Sequence, residues 1–249
     1  MDNLRCRGLS KSFDGLRALI DLDLDLPPSD ITSIIGPNGA GKTTLINILT
    51  GFLRPDAGQC FLGSREITNL PANRIARLGV VRTFQELRLI RQVPVLDNVM
   101  LARPHQRGEN LVGALFRMGV AKEEEEHRTE ALRRLRFVGL EEAAHDLAGE
   151  LSYGQQKLLT LACCLAMDAH ILIFDEPVAG VHPDMAAKIL NLMRKLRDEG
   201  KLIVFIEHDI SAVRAIADHV IVLDHGKVRA QGPPKEVLAR PEIMEAYVA

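Results

Sequence analysis

The chain has 249 residues, of which 47% are hydrophobic and 26% charged, with a net charge of −2. This length suits one large α/β domain or a domain carrying a smaller insertion, and the composition is ordinary for a soluble globular protein. So small a net charge gives no global field that would draw the chain onto nucleic acid or an anionic membrane surface. The longest strongly apolar stretch, residues 158–167, is about half of the roughly 20 residues a membrane-spanning helix needs. The opening residues Met1-Asp2-Asn3-Leu4-Arg5 lack the apolar core of a signal peptide.

In chain order, short β-type runs come first, at residues 4–9, 19–26 and 31–35, the second with period-two alternation of Leu and Asp. A Gly-rich turn follows, and residues 43–50 continue as a helix. A further strand-like run over 77–85 ends in Thr83-Phe84-Gln85. Residues from about 95 to 165 read as helical almost throughout, with Leu132, Leu135 and Val138 at helical spacing and a solvated acidic run at Glu123–Glu126. Residues 171–174 form an apolar strand of the kind buried on both faces. A helix after it carries Met185, Ile189, Leu192, Met193 and Leu196 on one side, two more strands lie at 202–206 and 220–223, and Pro233-Pro234 opens a C-terminal helix running to about Tyr247. Cys6, Cys60, Cys163 and Cys164 have no metal-ligand spacing and read as reduced thiols.

Two motifs carry chemistry. Gly36-Pro37-Asn38-Gly39-Ala40-Gly41-Lys42-Thr43 fits G-x-x-x-x-G-K-[ST] between a strand and a helix. Glycines let backbone N–H groups turn inward around a polyphosphate, and the helix that follows, with Thr44 in its first turn, adds its positive end. Lys42 can reach phosphate oxygens, and the Thr43 hydroxyl is a hard ligand for Mg²⁺. The strand at 171–174 then delivers Asp175 and Glu176 to its carboxyl end, the ligand edge of a parallel sheet. Asp175 suits a water-bridged contact to Mg²⁺, and Glu176 suits the carboxylate that orients or deprotonates an attacking water.

With these in place, the chain resembles the ATP-binding-cassette ATPases over nearly its whole length. Leu151-Ser152-Tyr153-Gly154-Gln155-Gln156 is similar to that family's signature motif, and Gln85 after Arg82-Thr83-Phe84 to its Q-loop. His208 resembles the switch histidine and Phe13 the aromatic that stacks on adenine. The resemblance implies an α/β P-loop NTPase core, a mostly parallel sheet with N-terminal antiparallel strands, interrupted by an inserted helical subdomain. The expected division within one domain over 1–249 is a nucleotide-binding core of 1–86 and 156–235, a helical subdomain of 87–155 with the signature motif, and a C-terminal helix over 236–249. It further implies ATP and Mg²⁺ as cofactors, with Gln85 sensing Mg²⁺ or the γ-phosphate. Ser152, Tyr153, Gly154 and Gln155 would then face ATP held by a second cassette, identical or not, so that neither chain alone completes a site. One departure stands in the D-loop, where His182 takes the place of the commoner Asp.

Within the family the chain is most similar to ATP-binding subunits of branched-chain amino-acid importers, on Arg82-Thr83-Phe84-Gln85 with Arg88-Leu89, the Tyr of its signature, and Ala179-Gly180. The similarity implies two transmembrane permease subunits, a solute-binding protein in the full system, no nucleic-acid partner, and a place on the cytoplasmic face of the cell membrane. The apolar run Leu87, Leu89, Ile90, Val93, Val95 and Leu96 is the expected seat for a permease helix. An export-type cassette resembling those of lipopolysaccharide transport, or a soluble non-transport cassette protein, is the alternative.

Overall fold

The computed structural model describes residues 3–83, 89–104 and 120–243. It divides the chain into two compact units, Met1–Arg82 with His170–Ala249, and Thr83–Ala169. In chain order the first unit begins with β1 (Leu4–Phe13), β2 (Leu16–Leu26), β3 (Ile31–Ile35), α1 (Lys42–Leu49), β4 (Ala57–Leu62), β5 (Arg65–Glu66), α2 (Ala72–Arg77) and β6 (Val80–Arg82). The second holds α3 (Val95–Leu101), α4 (Val120–Val138), a 3-10 turn at Ala148–Glu150 and α5 (Tyr153–Ala166). The chain then returns through β7 (Ile171–Asp175), α6 (Pro183–Asp198), β8 (Leu202–Ile206), α7 (Ile210–Ile216), β9 (His219–Asp224), β10 (Lys227–Gly232) and α8 (Pro234–Val237).

The first unit is built on two sheets whose patterns differ for a physical reason. In β2, Leu22, Leu24 and Leu26 are buried while Asp21, Asp23 and Asp25 face water, the period of two expected of a strand with one wet face. It belongs to an antiparallel sheet ordered β2-β1-β4-β5. By contrast β3, β7 and β8 are buried at every residue; β7 and β8 are apolar but for Asp175, while β3 buries Thr32 and Ser33 among its isoleucines. They sit inside a six-stranded sheet ordered β10-β9-β3-β8-β7-β6, parallel except for β10. Leu45, Ile46, Ile48 and Leu49 of α1 join one core with Leu22 and Leu24 of β2 and with Ile34, Ile173, Val204 and Ile221 of the larger sheet. Parallel pairing brings the carboxyl ends of β3, β6, β7 and β8 to a single edge, with Arg82 opposite Ile173 and Asp175 opposite Ile206.

In the second unit the buried faces are Val95, Leu96 and Val99 of α3, Leu135 and Val138 of α4, and Leu158, Leu159 and Ala162 of α5. Asn98 ties the segment before α3 to it: its Oδ1 accepts from the Ile90 N–H at 2.9 Å, and its Nδ2 donates to the Ile90 and Pro94 carbonyls at 3.1 and 3.0 Å. No helix among the described residues is long and apolar enough to cross a membrane.

Three expectations are corrected. The helical unit ends at Ala169, not 155, and begins at Thr83, because the apolar face of α5 packs on α3 and α4 and the helix travels whole with them. Of the strand expected over 77–85, the described residues, which here run to Thr83, form strand at Val80–Arg82; α2 ends at Arg77 and Gly79 takes a left-handed φ of +84° between them. The expected C-terminal helix is interrupted: α8 ends at Val237, a turn at Leu238-Ala239 follows, Arg240 before Pro241 is not helical, and helical backbone resumes over 241–243, the last of the described residues.

Candidate functional site

The loop after β3 is shaped by what cannot fit there. A Cβ on Gly36 would run into the Leu223 carbonyl, and one on Gly41 into the Ala18 carbonyl, with Gly41 at φ +102° as the residue that caps α1. The loop closes on Lys42, whose Nζ donates to the carbonyl oxygens of Gly36 at 2.6 Å and Pro37 at 2.9 Å. Lys42 is only 7% exposed, so it is part of the loop's own packing as well as a candidate ligand. Removal from water pulls its ammonium below the ordinary lysine range, while the charges of Glu176 and Asp175 pull the other way. Asn38 and Gly39 are exposed, Ala40 is buried, and Thr43 and Thr44 lie in the first turn of α1, Thr43 exposed and Thr44 half-buried.

Asp175 closes β7, 8% exposed, and Glu176 follows with a positive φ of +51° that non-glycine residues rarely adopt. Strained backbone of this kind persists only where the surroundings hold it, and it clusters at working sites. The Glu176 N–H is bonded to the Ile206 carbonyl at 3.0 Å, and its Oε1 lies 3.4 Å from His208 Nε2. The loop, Asp175, Glu176 and His208 therefore meet at the carboxyl edge of one sheet, where open α/β sheets hold their ligands.

Two side chains at this edge escaped sequence reasoning as parts of the site. Glu207, 2% exposed, accepts from the Val178 N–H at 2.9 Å through Oε1 and from its neighbour His208 N–H at 3.2 Å through Oε2. It clamps the turn after Glu176 to the segment after β8 that bears His208. The signal was an acid closing the apolar run of β8, as Asp175 closes β7. Arg82 donates through Nη2 to Asp175 Oδ2 at 2.6 Å and through Nη1 to Asn47 Oδ1 on α1. A pairing 93 residues apart in sequence leaves no local signature.

The remaining candidates lie elsewhere. Phe13 ends β1, 44% exposed, with Lys11 Nζ 5.5 Å from its ring centre and Lys11 held by Asp56 at 2.6 Å. One ring face thus meets a cation, an arrangement that anchors an exposed aromatic. In the helical unit, Ser152 caps α5: its Oγ accepts from the Gln155 N–H at 3.4 Å, and its own N–H donates to Gln155 Oε1 at 2.9 Å. The cap presents Tyr153 and Gly154 at the positive end of a 14-residue helix. His182 caps α6, its Nδ1 accepting from the Asp184 N–H at 3.4 Å. Gln85 lies outside the described residues, as does Leu87. Of the apolar run around them, Val95 and Leu96 are core, whereas Ile90 is 49% exposed.

Comparison with known proteins agrees with this geometry. The family model for the ABC transporter matches residues 19–179. The high-affinity branched-chain amino acid transport ATP-binding protein BraF of Pseudomonas aeruginosa is 38% identical over 98% of this chain and 97% of its own. The crystal structure of an ABC-transporter cassette in its ADP conformation superposes with a TM-score of 0.86 at 34% identity, over 100% of this chain and 99% of that one. A dimeric cassette in a post-hydrolysis state with ADP and phosphate gives 0.77 at 26% identity, over 93% and 98%. The chain belongs to the ABC transporter family, as one of its ATPase subunits.

Proposed function

We propose that this subunit binds Mg·ATP on residues 36–44, hydrolyses it with Glu176, and powers import of a branched-chain amino acid or a similar small amino acid or amide through partner membrane subunits. The observation that carries the reading is the closure of the phosphate loop on a buried Lys42 beside Asp175 and Glu176, with His208 Nε2 3.4 Å from Glu176. Nucleotide phosphates would replace the two carbonyls as acceptors for Lys42, and their negative charge would favour the ammonium that burial disfavours. Glu176 is the base that orients or deprotonates water, and His208 positions it and meets the γ-phosphate. Phe13 stacks on adenine through the ring face away from Lys11.

The donor set fits Mg²⁺. Thr43 offers a hydroxyl and Asp175 a carboxylate, both hard oxygens, and no group of three His, Cys, Asp or Glu among the described residues could hold a metal by itself. That is the pattern for an ion that arrives with phosphates and keeps its waters. When bound it neutralises charge on the phosphates; the chain's own part is to hold the Thr43 and Asp175 oxygens in place, with Gln85 as a further ligand.

The likeness to a dimeric cassette supports a second cassette as partner. Ser152, Tyr153, Gly154 and Gln155 then serve the ATP held by that partner, through the helix end that Ser152 caps. The relatives named as branched-chain amino acid transport ATP-binding proteins support a role in transport; the partners this reading assigns are two permease subunits and a solute-binding protein, with the chain on the cytoplasmic face of the membrane and Ile90 in the permease-facing surface. Lys42→Ala tests the core of this reading. Loss of charge-assisted bonds of about 1.5–3 kcal/mol each puts the fall in ATP affinity at about 10²-fold or more, measured by equilibrium binding. Unchanged affinity contradicts the assignment of the loop. Isolation of the chain from membranes with two apolar multi-span partners tests the transport half; a chain that always purifies alone from membranes contradicts it.

A further inference from the structure

Buried ion pairs are poor stabilising devices: replacing one with well-packed apolar residues is often neutral or better. The pair between Arg82 and Asp175, each with a side chain 7% exposed, therefore calls for a reason other than stability. Its geometry offers one. Arg82 closes β6, and its guanidinium spans from Asp175 Oδ2 on the adjacent strand to Asn47 Oδ1 on α1, the helix whose first turn carries Lys42 and Thr43. A guanidinium is a rigid planar fork, so two acceptors on two elements fix both its own orientation and that of the carboxylate. Lysine, with a point charge on a flexible stem, cannot do this.

We propose that Arg82 is a positioning residue for the metal-linked part of nucleotide binding: anchored by Asn47, it sets the orientation of the Asp175 carboxylate relative to the phosphate-loop helix. The proposal rests on the reading of Asp175 as the metal-side acid. It makes Arg82 act through Asp175 and leaves it no contact with the nucleotide. The affinity for nucleotide without metal should then be insensitive to Arg82, and only the gain on adding Mg²⁺ should depend on it.

The test is equilibrium binding of a fluorescent, non-hydrolysable ATP analogue to the full chain, in excess Mg²⁺ and in EDTA, with thermal midpoints recorded alongside. In Arg82→Lys the EDTA affinity stays at the wild-type value and the Mg²⁺-dependent gain falls about tenfold, as for loss of partners that orient metal ligands. Asn47→Ala, which keeps both members of the pair, loses a smaller part of the gain, and it decides the matter if Arg82→Lys does not fold. Asp175→Asn removes the gain. If Asp175→Asn keeps the full gain, the metal-side reading falls and the proposal with it. If Asp175→Asn loses the gain while the other two variants keep it, the reading stands and the Arg82 proposal is overturned. An equal fall with and without Mg²⁺ in Arg82→Lys overturns it too, because the fork would then be supporting the loop alone.

Discussion

Replacing Glu207 by glutamine removes one acceptor while leaving the shape of the side chain intact. The carboxylate accepts from two backbone N–H groups, Val178 at 2.9 Å and His208 at 3.2 Å. A glutamine offers one carbonyl oxygen and turns an NH₂ group toward the other donor, so one of the two N–H groups loses its acceptor next to a residue only 2% exposed. A buried donor stranded in this way costs about 1–3 kcal/mol. For a chain of this size each kcal/mol moves the thermal midpoint by about 2–4 °C, so the midpoint should fall by roughly 2 to 12 °C. Glu207→Ala strands both donors, leaves a cavity and should fall further. The functional consequence is separable from the stability. Val178 lies two residues after Glu176, and His208 is the residue paired with it, so loosening the clamp displaces the carboxylate proposed to activate water but leaves the phosphate loop untouched. A displacement on the order of 1 Å can lower turnover by about 10²-fold, with nucleotide affinity unchanged. Differential scanning fluorimetry, ATP turnover and equilibrium nucleotide binding on the two variants read all three effects. A Glu207→Gln variant with wild-type midpoint and wild-type turnover refutes the clamp.

Asp30 and Asp218 share a site at the opposite, amino-terminal end of β3. Burial first, then the hydrogen bond and charge of Asp218, push Asp30 up to about 6. Asp218, against its own desolvation, is held low by Arg197, the Ile31 N–H and Asp30. Between the ordinary value of 3.8 and about 6 the folded chain keeps a proton on Asp30 that the unfolded chain has released. The stability this contributes is therefore full below that window and lost as pH rises through it. Asp30→Asn donates to Asp218 at every pH, so its midpoint should lie above wild type beyond pH 6 and its decline across the window should flatten; parallel pH curves contradict this. His182→Asp keeps an effective cap on α6, so the thermal midpoint should hold while the ATP concentration needed for dimerisation shifts, read by light scattering against ATP. No change in dimerisation or turnover means that the position plays no part in cross-dimer coupling.

What the sequence shows most clearly is what is local. The phosphate loop spans eight consecutive residues, and β2, β7 and β8 announce their burial by period or by apolar runs. Pairings between distant segments are what it hides. Arg82 with Asp175 and Val178 with Glu207 depend on strand order, and nothing in residues 80–82 states that β6 lies beside β7. The burial of Lys42 was hidden for the same reason: its motif describes a ligand, while its two carbonyl partners follow from the closure of the loop. The boundary at Ala169 was missed because the signature stretch begins a helix whose periodicity does not say which unit receives its apolar face. At the carboxyl end, the single helix expected to Tyr247 took no account of Pro241, which disfavours helical backbone at the residue before it.

The central claim is that Glu176 activates water beside an ATP held by residues 36–44 and completed by a second cassette. The most direct measurement is therefore single-turnover hydrolysis by Glu176→Gln, with nucleotide affinity and mass measured in the same preparation. The account predicts ATP affinity at the wild-type level, hydrolysis slowed by about 10²- to 10⁴-fold, and an ATP-bridged dimer that accumulates because the bound γ-phosphate is not removed. Turnover near the wild-type rate in this variant contradicts the account and moves the catalytic role to another residue.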